Sequence, residues 1–210
     1  MADDWDDDGP RLLENLAQAR VTQDAFDRKP ITLAAIKRWH KAMMKGLRIP
    51  AAEVLGRKPE ELLGVFRGSP GLRGVGAQVG PYVGTHSTRV NAETAAFIEK
   101  LGQLIQALDR AIPADELAAM SNDDAQAVVE TVAWAHGEWV RIHPFVNGNG
   151  RSARLLGNAL LVRYGLPPVL RLRPRPEGSY AQAALRGMHG DARAMAAFLR
   201  TALRTTTQGG

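Results

Sequence analysis

The sequence of 210 residues contains no cysteine. This absence excludes a disulfide framework, zinc ribbons, thiolate clusters and a cysteine nucleophile. Long apolar runs are also missing: stretches such as Leu155 to Val162 are broken by glycine or asparagine, and none approaches the roughly 20 residues that a bilayer-spanning helix needs. The first residues lack the basic and then apolar pattern of a secretory signal. We therefore expect a cytoplasmic protein with no membrane partner.

Charge is distributed unevenly along the chain. Five of the residues from 3 to 8 are aspartate, and clustered like charges predict a disordered acidic arm over 1–10. The rest of the chain carries 27 basic and 17 acidic side chains, a net charge of +10. That balance favours an anionic ligand and leaves nucleic acid, nucleotide and phosphate all open. The length predicts a single domain, over 11–204, and a flexible tail at 205–210.

Apolar residues recur at helical spacing through most of the chain. The strongest stripe spans 121–142, where the intervals between apolar residues are four, three, four and three. Thr32 is expected to cap one helix, and Asn91 is expected to cap another over 92–108. Further helices are predicted over 11–20, 152–164, 180–188 and 191–203.

The segment from Gly64 to Gly84 has a different character, because seven of its 21 residues are glycine. Pro81 confines any strand there to a sheet edge. The residues suited to short extended pieces are Gln78, Val79, Tyr82 and Val83. The predicted fold class is therefore mainly α: a helical bundle that carries a small β-hairpin flap at about 76–90.

The stretch that carries chemistry reads His-Pro-Phe-Val-Asn-Gly-Asn-Gly-Arg from His143 to Arg151. Residues 148–150 allow turns that point successive backbone N–H groups into a concavity, and the next helix adds its positive N-terminal end. Arg151 and Arg154 lie one turn apart on about the same face, so both guanidiniums can converge on a polyphosphate. A neutral His143 beside that phosphate is placed to accept a proton from an attacking hydroxyl.

This run resembles the signature of Fic/Doc proteins, His-Pro-Phe-x-(Asp or Glu)-Gly-Asn-Gly-Arg-x-x-Arg, and matches every fixed position but one. The resemblance implies transfer of AMP from ATP, the co-substrate, to a Ser, Thr or Tyr hydroxyl of a target protein. By that analogy His143 is the general base, Arg151 holds the β-phosphate and Arg154 meets the γ-phosphate. The flap would register the target's backbone by strand addition. The residues that would cradle the phosphates are Gly148, Asn149 and Gly150.

The departure from the signature is Asn147, where the family has an acid that holds Mg²⁺. An amide oxygen can ligate magnesium but brings no negative charge, and proteins usually hold Mg²⁺ through carboxylates and phosphate oxygens. Asn147 is therefore a weak candidate metal ligand, and the need for Mg²⁺ is in doubt. The alternative to an adenylyltransferase is a nucleotide- or phosphate-binding module with weak, altered or no transferase activity.

Regulation is a second point of comparison with the family. Many Fic proteins are inhibited by a glutamate in a Ser/Thr-x-x-x-Glu-Gly/Asn helix, which pairs with the second arginine of the signature. Only Glu14 and Glu177 are followed by Asn or Gly here, and neither has Ser or Thr four residues earlier. We expect either a separate inhibitory helix, as in a toxin–antitoxin pair, or no such restraint. Nucleic acid is not favoured as a partner, because no reading motif is present.

Some further residues are given structural roles. His40 and His136 are expected to pack and form hydrogen bonds inside the fold, and Phe145 is expected to anchor the loop in the core. A basic extended segment is interpreted as a surface connector, with a phosphate contact as the alternative; its charged residues are Arg171, Arg173 and Arg175.

Overall fold

The computed structural model describes residues 9–79 and 82–208. Within these ranges the chain is mainly helical with one small antiparallel sheet, which confirms the predicted fold class. Residues 1–8 of the predicted acidic arm lie outside the described residues, and its last two residues, predicted as disordered, begin the first helix instead. The α-helices are α1 (Gly9–Ala19), α2 (Val21–Phe26), α3 (Leu33–Met44), α4 (Pro50–Val54), α5 (Ser87–Ala111), α6 (Asn122–Ile142), α7 (Asn149–Arg163), α8 (Tyr180–Met188) and α9 (Arg193–Gln208).

Helix α6 is the centre of the bundle and packs against α5, α7, α8 and α9. Ser121 caps it: the Ser121 hydroxyl accepts a hydrogen bond from the Asp124 N–H at 3.1 Å, and the Asp124 carboxylate accepts one from the Ser121 N–H at 3.3 Å. The predicted apolar stripe is wholly buried in the core. Its members are Val128, Val132, Ala135, Trp139 and Ile142.

Two predicted helix boundaries are corrected. Helix α5 begins at Ser87, and the side chain of His86 caps it by accepting a hydrogen bond from the Thr88 N–H. Asn91 lies inside this helix and donates instead to the Gly68 carbonyl oxygen at 3.1 Å. At the other end of the chain, α9 continues to residue 208, through most of the segment predicted as a tail.

Helices α6 and α8 meet at a pair of glycines. A Cβ atom built on Gly137 would lie 2.8 Å from the backbone of Gly187, closer than real Cβ atoms approach any neighbour. This close packing places Tyr180, the first residue of α8, beside α6. There the Tyr180 hydroxyl lies 2.8 Å from Nε2 of the fully buried His136, which has the structural role expected of it.

The predicted hairpin forms from two short strands, β1 (Gln78–Val79) and β2 (Tyr82–Val83). They pair antiparallel, with Gln78 opposite Val83 and Val79 opposite Tyr82. The two residues that join the strands lie outside the described ranges. No helix within those ranges combines the length and the apolar character needed to cross a bilayer.

Candidate active site

The loop that ends α6 begins with His143, whose backbone adopts a left-handed conformation with φ 52°. Such a conformation costs a non-glycine residue on the order of 1 kcal/mol, so surrounding contacts must maintain it. The carbonyl oxygen of His143 accepts a hydrogen bond from Arg67 Nε at 2.8 Å, and its Nδ1 lies 3.3 Å from the Val140 carbonyl oxygen. Burial, together with the nearby Arg67 cation, lowers the pKa of His143 to about 4. The imidazole is therefore neutral at pH 7.

Arg67 is the main residue of the site that the sequence analysis missed. Its side chain is only 1% exposed, although it carries a guanidinium. It donates to four backbone carbonyl oxygens: those of His143, Val75 and Thr85 at 2.8 Å and that of Ile142 at 3.2 Å. Arg67 thus ties the end of α6 to the segment that leads into the flap. An arginine in a glycine-rich stretch gives no sequence signal for this role.

The Asn149 side chain closes the loop on itself. Its Oδ1 accepts a hydrogen bond from the Phe145 N–H at 2.8 Å, and its Nδ2 donates to the Phe145 carbonyl oxygen at 2.8 Å. The ring of Phe145 is fully buried, as expected for the residue that anchors the loop in the core. Both polar atoms of the Asn149 side chain are therefore engaged within the loop.

His40 supports the other side of the loop. Its ring stacks on Phe145 with the centroids 3.6 Å apart. Nδ1 accepts a hydrogen bond from the Gly64 N–H at 3.0 Å, so the ring hydrogen is on Nε2, which donates to the Asn147 carbonyl oxygen at 2.9 Å. Burial lowers the pKa of His40 to about 4 and keeps this neutral tautomer in place.

Helix α7 begins at Asn149, three residues earlier than predicted, with Gly148 as its N-cap. Gly148 has φ 78°, and a Cβ atom there would lie 2.8 Å from Met44 Sδ, so both its backbone conformation and its surroundings require glycine. Because α7 starts here, Gly150 and Arg151 occupy its first turn. The N–H groups of a first helical turn have no intrahelical acceptor and form an anion-binding surface.

Arg154 is a buried cation on the next turn of α7, and its side chain is 5% exposed. Nη1 donates to the Tyr180 hydroxyl at 3.2 Å, and Nη2 donates to the Leu172 carbonyl oxygen at 3.1 Å. Nε is buried without a hydrogen-bond partner among the described residues. Within those residues no carboxylate forms an ion pair with Arg154 either. A buried, partly unsatisfied guanidinium of this kind fits an anionic ligand.

These groups surround one cavity of about 920 Å³. Its walls are the signature loop, the first turns of α7 and the segment 172–178. The cavity brings together all the residues predicted to act on the phosphates and the attacking hydroxyl. They are His143, Asn147, Gly148, Asn149, Gly150, Arg151 and Arg154.

The flap residues do not line this cavity, but the flap is attached beside it. A Cβ atom on Gly84 would lie 3.1 Å from His143 Cβ, so the foot of the flap abuts the candidate base. In the strands themselves, Val83 is 81% exposed, and the Tyr82 ring packs edge-on against His189 with the centroids 4.4 Å apart. The predicted docking residues thus lie outside the pocket that would hold the nucleotide.

The basic segment interpreted as a surface connector lies at the site. Arg173 and Arg175 line the cavity, whereas Arg171 is exposed and does not. Of the two glutamates considered as inhibitors, Glu177 lines the cavity and Glu14 is exposed outside it.

The residues present do not fit a magnesium site held by the protein. Asn147 offers an amide, and its backbone oxygen already accepts from His40. Glu177 contributes the single carboxylate of the cavity lining. In the two described ranges there is no cluster of three or more His, Cys, Asp or Glu side chains that could hold a metal ion.

The helical bundle and this loop together define a Fic domain. The sequence model of the Fic/DOC family matches residues 30–161, more than half of the chain, and the chain belongs to that family. A crystal structure of a Fic domain-containing signaling protein from Bacteroides thetaiotaomicron has the same fold. It superposes with a TM-score of 0.60 and 19% identity, over 91% of this chain and 68% of that one.

Relatives of this chain include proteins named protein adenylyltransferase Fic. The protein from Nematostella vectensis is 44% identical over 78 residues, which are 37% of this chain and 17% of that protein. The protein from Drosophila melanogaster is 60% identical over 42 residues, 20% of this chain and 8% of that protein. The matched segments thus span less than a fifth of the length of these relatives, and they cover only part of this chain.

Proposed function

We propose that this protein is an adenylyltransferase that transfers AMP from ATP to a Ser, Thr or Tyr hydroxyl of a target protein. The single observation that carries the proposal is the cavity in which a neutral His143 faces the first turn of α7 with Arg151 and Arg154. The relatives named adenylyltransferases support the same class of reaction. Phosphoryl-type transfer depends mainly on positioning and charge neutralisation, which this cavity supplies.

In the proposed reaction His143 is the general base. Its Nδ1–H points to the Val140 carbonyl oxygen, which leaves Nε2 free to accept the proton of the target hydroxyl. The hydroxyl oxygen then bonds to the α-phosphorus, the bond from that phosphorus to the bridging oxygen breaks, and pyrophosphate leaves. A bound polyphosphate brings negative charge close to the ring, which raises its pKa from about 4 toward the working pH.

The arginines and the helix N-terminus hold the leaving phosphates in this scheme. Backbone N–H groups of residues 149–151 cradle the α- and β-phosphates, Arg151 holds the β-phosphate, and Arg154 reaches the γ-phosphate. Arg154 lines the cavity, where hydrogen bonds to the Tyr180 hydroxyl and the Leu172 carbonyl oxygen hold its guanidinium. We derive no step through Mg²⁺, because the loop offers an amide in place of the acid.

Target docking is assigned to the flap. Gln78, Val79, Tyr82 and Val83 form a two-stranded ribbon whose outer edge can pair with the main chain of an extended target segment. Regulation follows one of two routes in this proposal. In the first, the protein is the toxin of a toxin–antitoxin pair and a separate antitoxin supplies the inhibitory helix. In the second, no inhibitory helix acts on the protein.

The proposal is tested by labelling. The purified protein is incubated with ATP labelled at the α-phosphate and with cell lysate, with Mg²⁺ and without it. We expect a labelled protein band whose intensity falls by a factor of about 100 or more in His143→Ala, since a general base contributes that much. Leu13→Ala, which changes an exposed side chain of α1 that contacts neither the cavity nor the flap, is the control. Equal labelling by wild type and His143→Ala would exclude the proposed chemistry.

A second candidate function is a binding module without turnover. Asn147 favours it, because the loop lacks the metal-holding acid of active family members. In that case calorimetry would show nucleotide binding that Arg151→Ala weakens, while no transfer product forms. Asn147→Asp distinguishes the two functions. If the protein binds nucleotide but fails to transfer AMP only because it holds no Mg²⁺, the new carboxylate should produce transfer activity.

A further inference from the structure

We propose that Arg173 and Arg175 supply, from the segment 172–178, the positive charge that offsets the nucleotide's polyphosphate, so that nucleotide binds here without a metal held by the protein. The inference rests on the proposed function and specifies how this site holds its substrate. Neither arginine belongs to the signature run. Four arginines and one glutamate line the cavity, and the position expected to bear an acid is the neutral Asn147.

The wall that carries these arginines is fixed to α7 by side chains. Asn158 accepts a hydrogen bond from the Leu170 N–H at 3.0 Å and donates to the Leu170 carbonyl oxygen at 2.8 Å. Two residues further, the Leu172 carbonyl oxygen accepts from Arg154 Nη2 at 3.1 Å. Helix α7 therefore positions both its own N-terminus and the segment that carries these arginines, and Arg173 directly follows the residue to which Arg154 donates.

The local sequence keeps the segment extended. Proline fixes its own φ angle and biases the preceding residue toward extended conformations, and Pro174 and Pro176 act in this way on Arg173 and Arg175. Pro176 is buried, so the segment is attached to the fold on both sides of Arg175. Arg173 is half-buried, which lowers the entropic cost of holding its side chain over the cavity.

The chemistry of the side chains suits this task. A guanidinium stays charged and presents paired N–H donors that match phosphate oxygens, whereas Asn147 can only share a lone pair with a cation. Four arginines against one glutamate give the lining of the cavity a net positive charge and an excess of guanidinium groups over carboxylates. A polyphosphate offsets both.

The test measures binding by calorimetry with α,β-methylene-ATP, an analogue that cannot be split between its α- and β-phosphates. Titrations are run in EDTA and in Mg²⁺ on the whole chain. We expect wild type to bind in EDTA within about threefold of its affinity in Mg²⁺. Arg173→Gln and Arg175→Gln should each weaken binding in EDTA about tenfold or more, the loss expected for one charge-assisted contact. Arg171→Gln, the same charge change outside the cavity, is the matched control and should change binding less than twofold.

The other outcomes separate this inference from the proposed function. If wild type binds more than about tenfold more weakly in EDTA, or if Arg173→Gln and Arg175→Gln bind like Arg171→Gln, the inference is overturned while the nucleotide site stands. If wild type binds the analogue in neither condition, or if Arg154→Gln binds as well as wild type, the proposed function fails with it. Arg173→Lys, which keeps the charge, should recover most of the affinity and excludes misfolding as the cause.

Discussion

The signature loop and the flap lie side by side but are held in opposite ways. In the loop, buried side chains form hydrogen bonds to the backbone. Asn149 bonds to both backbone groups of Phe145, His40 donates to the Asn147 carbonyl oxygen, and Arg67 donates to that of His143. The flap has two strands of two residues each and a ring contact between Tyr82 and a histidine, with Val83 almost fully exposed. Groups that react need fixed positions, whereas a segment that accepts varied target backbones needs an open edge.

The largest expected effect comes from removing the guanidinium that maintains the loop. Arg67→Met removes the donors to four backbone carbonyl oxygens and leaves those oxygens buried without partners. We expect a loss of about 3 kcal/mol or more in the free energy of unfolding, measured by urea denaturation. Arg57→Met, which removes an exposed arginine nearby, should change stability little. Equal losses in both variants would show that Arg67 does not hold the loop.

An intermediate effect is expected from acid. Burial lowers the pKa values of His40 and His143 to about 4 and that of His136 to about 3, against 6.5 for a free histidine. Between pH 6.5 and about 4 the unfolded chain therefore binds more protons than the folded one, so stability is full above pH 6.5 and falls as the pH falls. The slope is at most about 1.4 kcal/mol per pH unit for each histidine.

Urea midpoints measured between pH 7.5 and 5 check this slope. His40→Gln should flatten it, because one of the three histidines with a lowered pKa is gone, whereas Leu13→Gln, at an exposed residue of α1, should leave it unchanged. If both variants keep the wild-type slope, the acid sensitivity does not arise at the loop.

The smallest effect on stability is expected in the flap. Val83→Ser changes a side chain that is 81% exposed, so the free energy of unfolding should shift by less than about 0.5 kcal/mol. Labelling of target protein should nevertheless fall, while nucleotide binding is unaffected. Val54→Ser, at a residue 87% exposed outside the flap, is the matched control. Equal labelling by the two variants would remove the flap from target docking.

What could be predicted from the sequence was mostly local. The cap at Thr32 was found because the short polar side chain and the backbone N–H from which it accepts lie three residues apart. Asn91 has the same local signal, but tertiary contacts extend α5 past it and turn its side chain toward Gly68. Local signals therefore locate a helix better than they locate its first residue.

Parts of the site depended on contacts that no local pattern contains. The start of α7 was predicted three residues too late, because its N-cap Gly148 has no side chain and so lacks the polar capping group by which a helix start is recognised. Arg67 and the position of Arg173 are set by packing between segments far apart in the chain, so the first was missed and the second was interpreted as a connector. The short helices α2 and α4 also went unpredicted, since five or six residues show too little periodicity.

The contact between Gly137 and Gly187 lies outside the cavity but is linked to it through Tyr180 and Arg154. Helix α8 rests directly on α6 there, and Tyr180, at the start of α8, receives a hydrogen bond from Arg154. A single methyl group at either glycine would wedge the two backbones apart and carry the tyrosine with them. A substitution at either glycine would therefore shift the position of the Arg154 guanidinium without changing any residue that lines the cavity.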